Sequence, residues 1–129
     1  MVGFVDSYRS LRAWQHAHAA ALLAHRAADT ANHPRARALF DQLKRAAFSV
    51  EANVVEGYAL HTLPLRRQHF WRAFGSAAEA ECAVRLAGEL GYLKETVATE
   101  LKDTLGNAMR TLRGLLDAHP PAWRQRRPS

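Results

Sequence analysis

Apolar residues recur at three- and four-residue intervals in four long runs of this chain, and that interval is the period of an α-helix. The first run covers about residues 10–30, with Leu11, Trp14, His18, Ala21, Leu22 and His25 on one face and Ser10 as candidate N-cap. It stops at Asn32-His33-Pro34, because a proline disfavours helical geometry in the residue before it. The second run covers about residues 35–60 and aligns Phe40, Leu43, Ala47, Val50 and Val54. Thr62-Leu63-Pro64 interrupts it, and Pro64 suits the first turn of a third helix over about residues 64–90. Gly91 is placed to adopt a left-handed conformation past that helix, followed by Tyr92-Leu93. A fourth helix over about residues 94–118 carries Val97, Leu101, Leu105, Ala108, Leu112 and Leu115 as its stripe, and His119-Pro120-Pro121 ends it. Four such helices with short connections predict an all-α fold, an antiparallel up-down-up-down four-helix bundle. The single domain would occupy residues 1–119, and residues 120–129 would form a basic flexible tail.

The second helix departs from simple amphipathicity. Phe48 and Val55 lie roughly opposite its main apolar face. Between the two faces, Gln42, Arg45, Ser49, Asn53 and Glu56 fall within an arc of about 80° at 100° per residue. Such a seam is costly to bury unpaired, so it predicts hydrogen bonds to a facing helix or to a second subunit. Glu79 on the third helix is the candidate partner of Arg45. On that helix Ser76, Ala80, Ala83 and Ala87 form a small-residue packing seam. A different face gathers Phe70, Trp71, Phe74, Ala77, Ala78, Glu81, Cys82 and Arg85. Glu81 and Arg85 should make a partly buried i,i+4 ion pair, and Cys82 a buried structural thiol.

Composition narrows the chemistry. A lone cysteine excludes an internal disulfide framework and fits a reducing cytosol. No apolar run is long enough to span a bilayer, and the N-terminus has no secretory pattern, so a cytoplasmic protein is expected. Of the net charge of +6, half sits on Arg124, Arg126 and Arg127, which weakens any argument from pI to a basic folded surface. No Glu-x-x-His pair, HExxH or CxxC occurs, so neither metal nor cofactor is expected. There is no nucleophile elbow or phosphate loop, and Ser49 and Glu56 stand about 10 Å apart along one helix. No catalytic residues are therefore expected.

The stretch Gln42–Gly57, QLKRAAFSVEANVVEG, closely resembles the core motif of small helical proteins named after 23S ribosomal RNA intervening sequences, approximately Q-L-R-R-A-A-x-S-I-x-A-N-I-A-E-G. Gln42, Leu43, Arg45, Ala46, Ala47, Ser49, Ala52, Asn53, Glu56 and Gly57 match in register. Tyr8–Gln15 is similar to the family's Y-x-x-L-x-x-W-Q, Phe74–Glu81 to its G-S-x-x-E-x-E segment, and Leu90–Leu93 to its L-G-Y-L link. The likeness covers about residues 8–117. Glu51 departs from it, standing where Pro or an apolar residue is frequent. The loop Ala59–Leu63 and the Trp-Arg tail depart as well. The resemblance implies a left-handed bundle that assembles into a ring-like homopentamer. It gives no definite activity, although a related branch serves diversity-generating retroelements by binding a reverse transcriptase and nucleic acid.

Two functional expectations follow. The first is a non-enzymatic homo-oligomeric scaffold or adaptor whose polar network comprises Gln42, Arg45, Ser49, Asn53, Glu56, Glu79 and Arg85. Its candidate contacts to RNA, DNA or a nucleic-acid enzyme are Arg35, Arg37, Lys44, Arg66, Arg67, Arg72, Trp123, Arg124, Arg126 and Arg127. The alternative is a small-molecule binder or unrecognised enzyme with a polar pocket near Glu56, Glu79 and Arg85.

Overall fold

A computed structural model of the chain describes residues 8–31, 33–60 and 62–118. It contains four α-helices: α1 (Arg12–Thr30), α2 (Arg37–Ala59), α3 (Leu63–Glu89) and α4 (Glu95–Ala118). Short 3-10 turns, Tyr8–Ser10 and Pro34–Ala36, precede α1 and α2. Each helix packs on the next, and α1 also packs on α4, which closes an up-down four-helix bundle as the hydrophobic pattern predicts. The α2–α3 interface is the most extensive.

The boundaries have local causes. Ser10 lies in the 3-10 turn, so Leu11 is the N-cap of α1, without a side-chain cap bond. This corrects the expected Ser10 cap by one residue. Pro64 occupies the first turn of α3, where a missing N–H costs nothing. At the other end of α3, Gly91 takes φ +78°. Tyr92 N–H then bonds Ala87 O at 2.8 Å and Gly91 N–H bonds Gly88 O at 3.1 Å, the paired pattern of a Schellman cap.

The core is dominated by alanine, and here one expectation needs correction. The buried face of α1 is Ala13, Ala17, Ala20, Ala21, Ala24 and Ala27, not the face that carries Trp14, Leu22 and His25. Leu22 is 41% exposed. Small side chains let α1 lie close to its neighbours, and its bulkier residues are displaced to the flanks. On α2 the predicted Phe40, Leu43, Ala47, Val50 and Val54 are all buried. On α4, Leu101, Leu105, Ala108 and Leu112 are buried as predicted, with Val97 and Leu115 only partly covered. Ala80, Ala83 and Ala87 of α3 are buried as a packing seam.

The tightest approach is at Gly57. A Cβ there would lie 2.8 Å from Cε1 of Phe70 and 3.2 Å from the Arg66 carbonyl oxygen. Gly57→Ala should therefore lower stability by about 1–3 kcal/mol in denaturant unfolding, through overpacking. Gly114, with nothing within 4 Å of its would-be Cβ, provides the contrast. Gly114→Ala should raise stability by about 0.5–1 kcal/mol through helix propensity.

Candidate functional site

Apart from Arg45, the polar stripe of α2 faces α3 and finds its partners within one chain. His69 on α3 joins its lower part. Its Nδ1 lies 3.0 Å from Asn53 Oδ1 and 3.3 Å from the Glu56 carboxylate. Both neighbours accept, so the ring carries a proton on Nδ1. Asn53 Nδ2 donates to the Ser49 carbonyl at 2.9 Å and to Ser49 Oγ at 3.2 Å. The Ser49 and Ser76 hydroxyls meet across the interface at 2.8 Å. Further along, Gln42 Nε2 donates to the Glu79 carboxylate. These partners run in opposite directions on the two helices and form a ladder between them. Among the described residues, no buried side-chain nitrogen or oxygen lacks a partner. His69 was not singled out from the sequence. Its only signal was a position nearly two turns into α3, opposite Asn53 and Glu56 once those helices are antiparallel.

Three expectations about individual residues change. Arg45 is exposed on the outer side of α2, and Glu79 bonds Gln42 instead. The Arg85–Glu81 pair exists at 2.6 Å, but Arg85 is 58% exposed, so it is a surface pair rather than a partly buried one. The hydrogen bond to Glu81 and its negative charge hold the Arg85 pKa above the usual guanidinium value. Cys82 is exposed, not buried. Glu56, Glu79 and Arg85, the three groups of the alternative pocket, do not converge. Each bonds a different partner: His69, Gln42 and Glu81. Ser49 bonds Ser76 and Asn53, while His69 bonds Asn53, so Ser49 and His69 form no nucleophile–base pair. Among the described residues no group of three His, Cys, Asp or Glu is placed to hold a metal ion.

Glu51 has a local explanation. Its Oε2 accepts from Trp14 Nε1 at 3.1 Å and from His18 Nδ1 at 2.9 Å. The Trp14 and His18 rings stack at 4.8 Å, and Tyr8 meets Trp14 edge-on at 5.3 Å. This carboxylate therefore ties α1 to α2, with a side chain only 16% exposed.

The candidate basic contacts divide between opposite ends of the bundle. Arg35, Arg37 and Lys44 lie near the α1–α2 connection. Arg66, Arg67 and Arg72 lie on the first turns of α3, at the far end. Arg66 donates to the carbonyls of Leu60 at 3.0 Å and Tyr58 at 3.4 Å. Arg67 donates to Leu116 O at 2.5 Å. Both guanidinium groups thus cap C-terminal carbonyls, of α2 and α4 respectively, where a cation also complements the helix dipole. Arg72 is exposed. Trp123, Arg124, Arg126 and Arg127 lie outside the described residues.

The family model of the 23S rRNA-intervening sequence protein matches residues 9–114 of the chain. The chain belongs to that family. The match covers the four helices but for the last residues of α4, and so includes the Gln42–Glu79 and Ser49–His69 seam; the arginine tail lies beyond it. No protein of curated function matches the sequence. Among the described residues no helix is long and apolar enough to cross a membrane.

In this member of the 23S rRNA-intervening sequence family, the capping arginines can be told from the free one by stability. Arg66→Ala and Arg67→Ala should each cost about 1 kcal/mol or more in urea unfolding, because helix carbonyls lose a charged donor. Arg72→Ala should stay within about 0.5 kcal/mol of the parent.

Proposed function

We propose that the protein is a non-enzymatic, cytoplasmic homo-oligomer, a pentamer as the family resemblance implies. In this reading it is a scaffold for nucleic acid or a nucleic-acid-processing partner. The observation that supports it is the outer face of α3. Trp71, Gly75, Ala78, Cys82 and Leu86 follow one another at helical spacing and are all exposed, with Trp71 at 43% and Leu86 at 47%. Apolar residues are thus found on both faces of this helix. The inner one is consumed by the bundle core, whereas the outer one meets solvent in a single chain. Gly75 and Ala78 leave room for the backbone of another helix, since a Cβ at Gly75 would meet nothing within 4 Å. Trp71 and Leu86 flank that gap with large apolar surface. Burying this stripe against a second copy removes it from water and encloses Cys82.

The inner polar seam favours the scaffold over an enzyme. Its groups are spent on one another, and no nucleophile stands against a base within it.

Static light scattering at micromolar concentration should give the mass of an oligomer, and Ala78→Glu should reduce it to that of one chain. Cys82 should react slowly with a thiol reagent in the parent and rapidly in the variant. A monomeric parent contradicts the proposal. For the nucleic-acid half, labelled RNA or single-stranded DNA should bind with an affinity that falls steeply with salt. Unchanged mobility at low salt would rule it out.

A further inference from the structure

Three concavities adjoin along one side of the bundle, from the α3–α4 turn down the groove between α1 and α2. The first, about 290 Å³, is bordered by Tyr92, Lys94 and Val97. The second, about 450 Å³, is bordered by Pro34, Arg37 and Phe40. The first two share Ala31 and His33. The third, about 340 Å³, is bordered by His25, Arg45 and Phe48 and shares Asp41 and Lys44 with the second. Together they make a continuous track.

Its chemistry is interleaved. The His33 and Tyr92 rings meet at 5.2 Å and 43° at the upper end, and Phe48 stands 58% exposed at the lower end. Between and beside them lie Lys94, Arg37, Lys44 and Arg45. The one carboxylate in the lining, Asp41, is 3.6 Å from Lys44. Glu51, one turn beyond Phe48, is turned away to Trp14 and His18. Arg37 and Phe48 are eleven residues apart on a helix, about 17 Å at 1.5 Å per residue. That separation exceeds any single phosphate or mononucleotide and suits a short run of chain.

We infer that this track binds single-stranded nucleic acid, with bases against the His33–Tyr92 pair and Phe48 and phosphates on Arg37, Lys44, Arg45 and Lys94. An exposed ring accepts any base face, and a cation beside it takes the adjoining phosphate. A duplex hides its base faces and cannot use the rings. The bundle end carrying Arg66 and Arg67 is a poorer candidate, because those guanidinium groups already cap helices. The inference rests on the nucleic-acid half of the proposed function and not on the oligomer.

The test is fluorescence anisotropy of a labelled oligo(dT) strand titrated with the full chain over a series of salt concentrations. Arg37→Ala and Lys44→Ala should each weaken binding and reduce the slope of log affinity against log salt by about 0.7, the value for one phosphate of a single strand. Phe48→Ala should weaken binding about tenfold with the slope unchanged, the signature of a lost stacking platform. Lys102→Ala, on α4 and outside the track, should match the parent. A labelled duplex should bind more weakly than the strand. If the parent binds oligo(dT) but the Arg37, Lys44 and Phe48 variants bind like it, the track is wrong and the scaffold reading stands. If the parent binds no strand at low salt, both fall. A duplex that binds as tightly as the strand removes the rings from recognition and overturns the inference.

Discussion

The close approach of α2 and α3 constrains everything else in this bundle. Gly57 lets the Phe70 ring sit against bare backbone, and Ala73, Ala77 and Ala80 keep the facing side of α3 small. Helices this near leave no room between them for long apolar side chains. Short polar ones fill the margin, and those that are partly buried need partners on the opposite helix. Ser49 with Ser76, and Asn53 and Glu56 with His69, meet that requirement, and Gln42 with Glu79 continues the line. The seam therefore sets the register of α2 on α3. A one-turn slip would separate each pair at once.

Much of the architecture was legible because the bundle uses strong local signals. Pro64, Gly91 and the leucine stripe of α4 mark boundaries and core in ways that depend little on distant residues. The motif from Gln42 to Gly57 identified the family correctly. Individual contacts were less legible. Arg45 belongs by helical angle to the polar stripe, yet it lies at the stripe's outer edge, where a long cation reaches solvent more cheaply than it fits between helices. The core face of α1 was misplaced because alanine is a weak hydrophobic marker, and Trp14, Leu22 and His25 outweighed it in the pattern. Glu51 looked like a family departure, and only the antiparallel pairing of α1 and α2 shows its role between Trp14 and His18.

Exposure separates residues that sequence alone groups together. Cys82 and the Glu81–Arg85 pair sit among apolar neighbours in the chain but on the outside of the folded bundle. The same holds for arginine. Arg66 and Arg67 stand in a basic cluster by sequence, whereas in the fold they serve helix carbonyls. The surface left over comprises the small and apolar outer stripe of α3 and the basic, aromatic groove between α1 and α2. They share no residue, so the proposed self-association and the proposed strand binding do not compete for the same surface. The match to the 23S rRNA-intervening sequence family spans residues 9–114 and so takes in both surfaces.

The central claim is that the α2–α3 seam is a mutually dependent packing network rather than a row of independent surface groups. A double-mutant cycle on Asn53 and His69, measured by denaturant unfolding, addresses it most directly. With Asn53→Ala, His69→Ala and the double variant, the network predicts a coupling energy of about 1 kcal/mol or more, since either single change removes the bond between Asn53 Oδ1 and His69 Nδ1. Effects that add to within about 0.3 kcal/mol would contradict it.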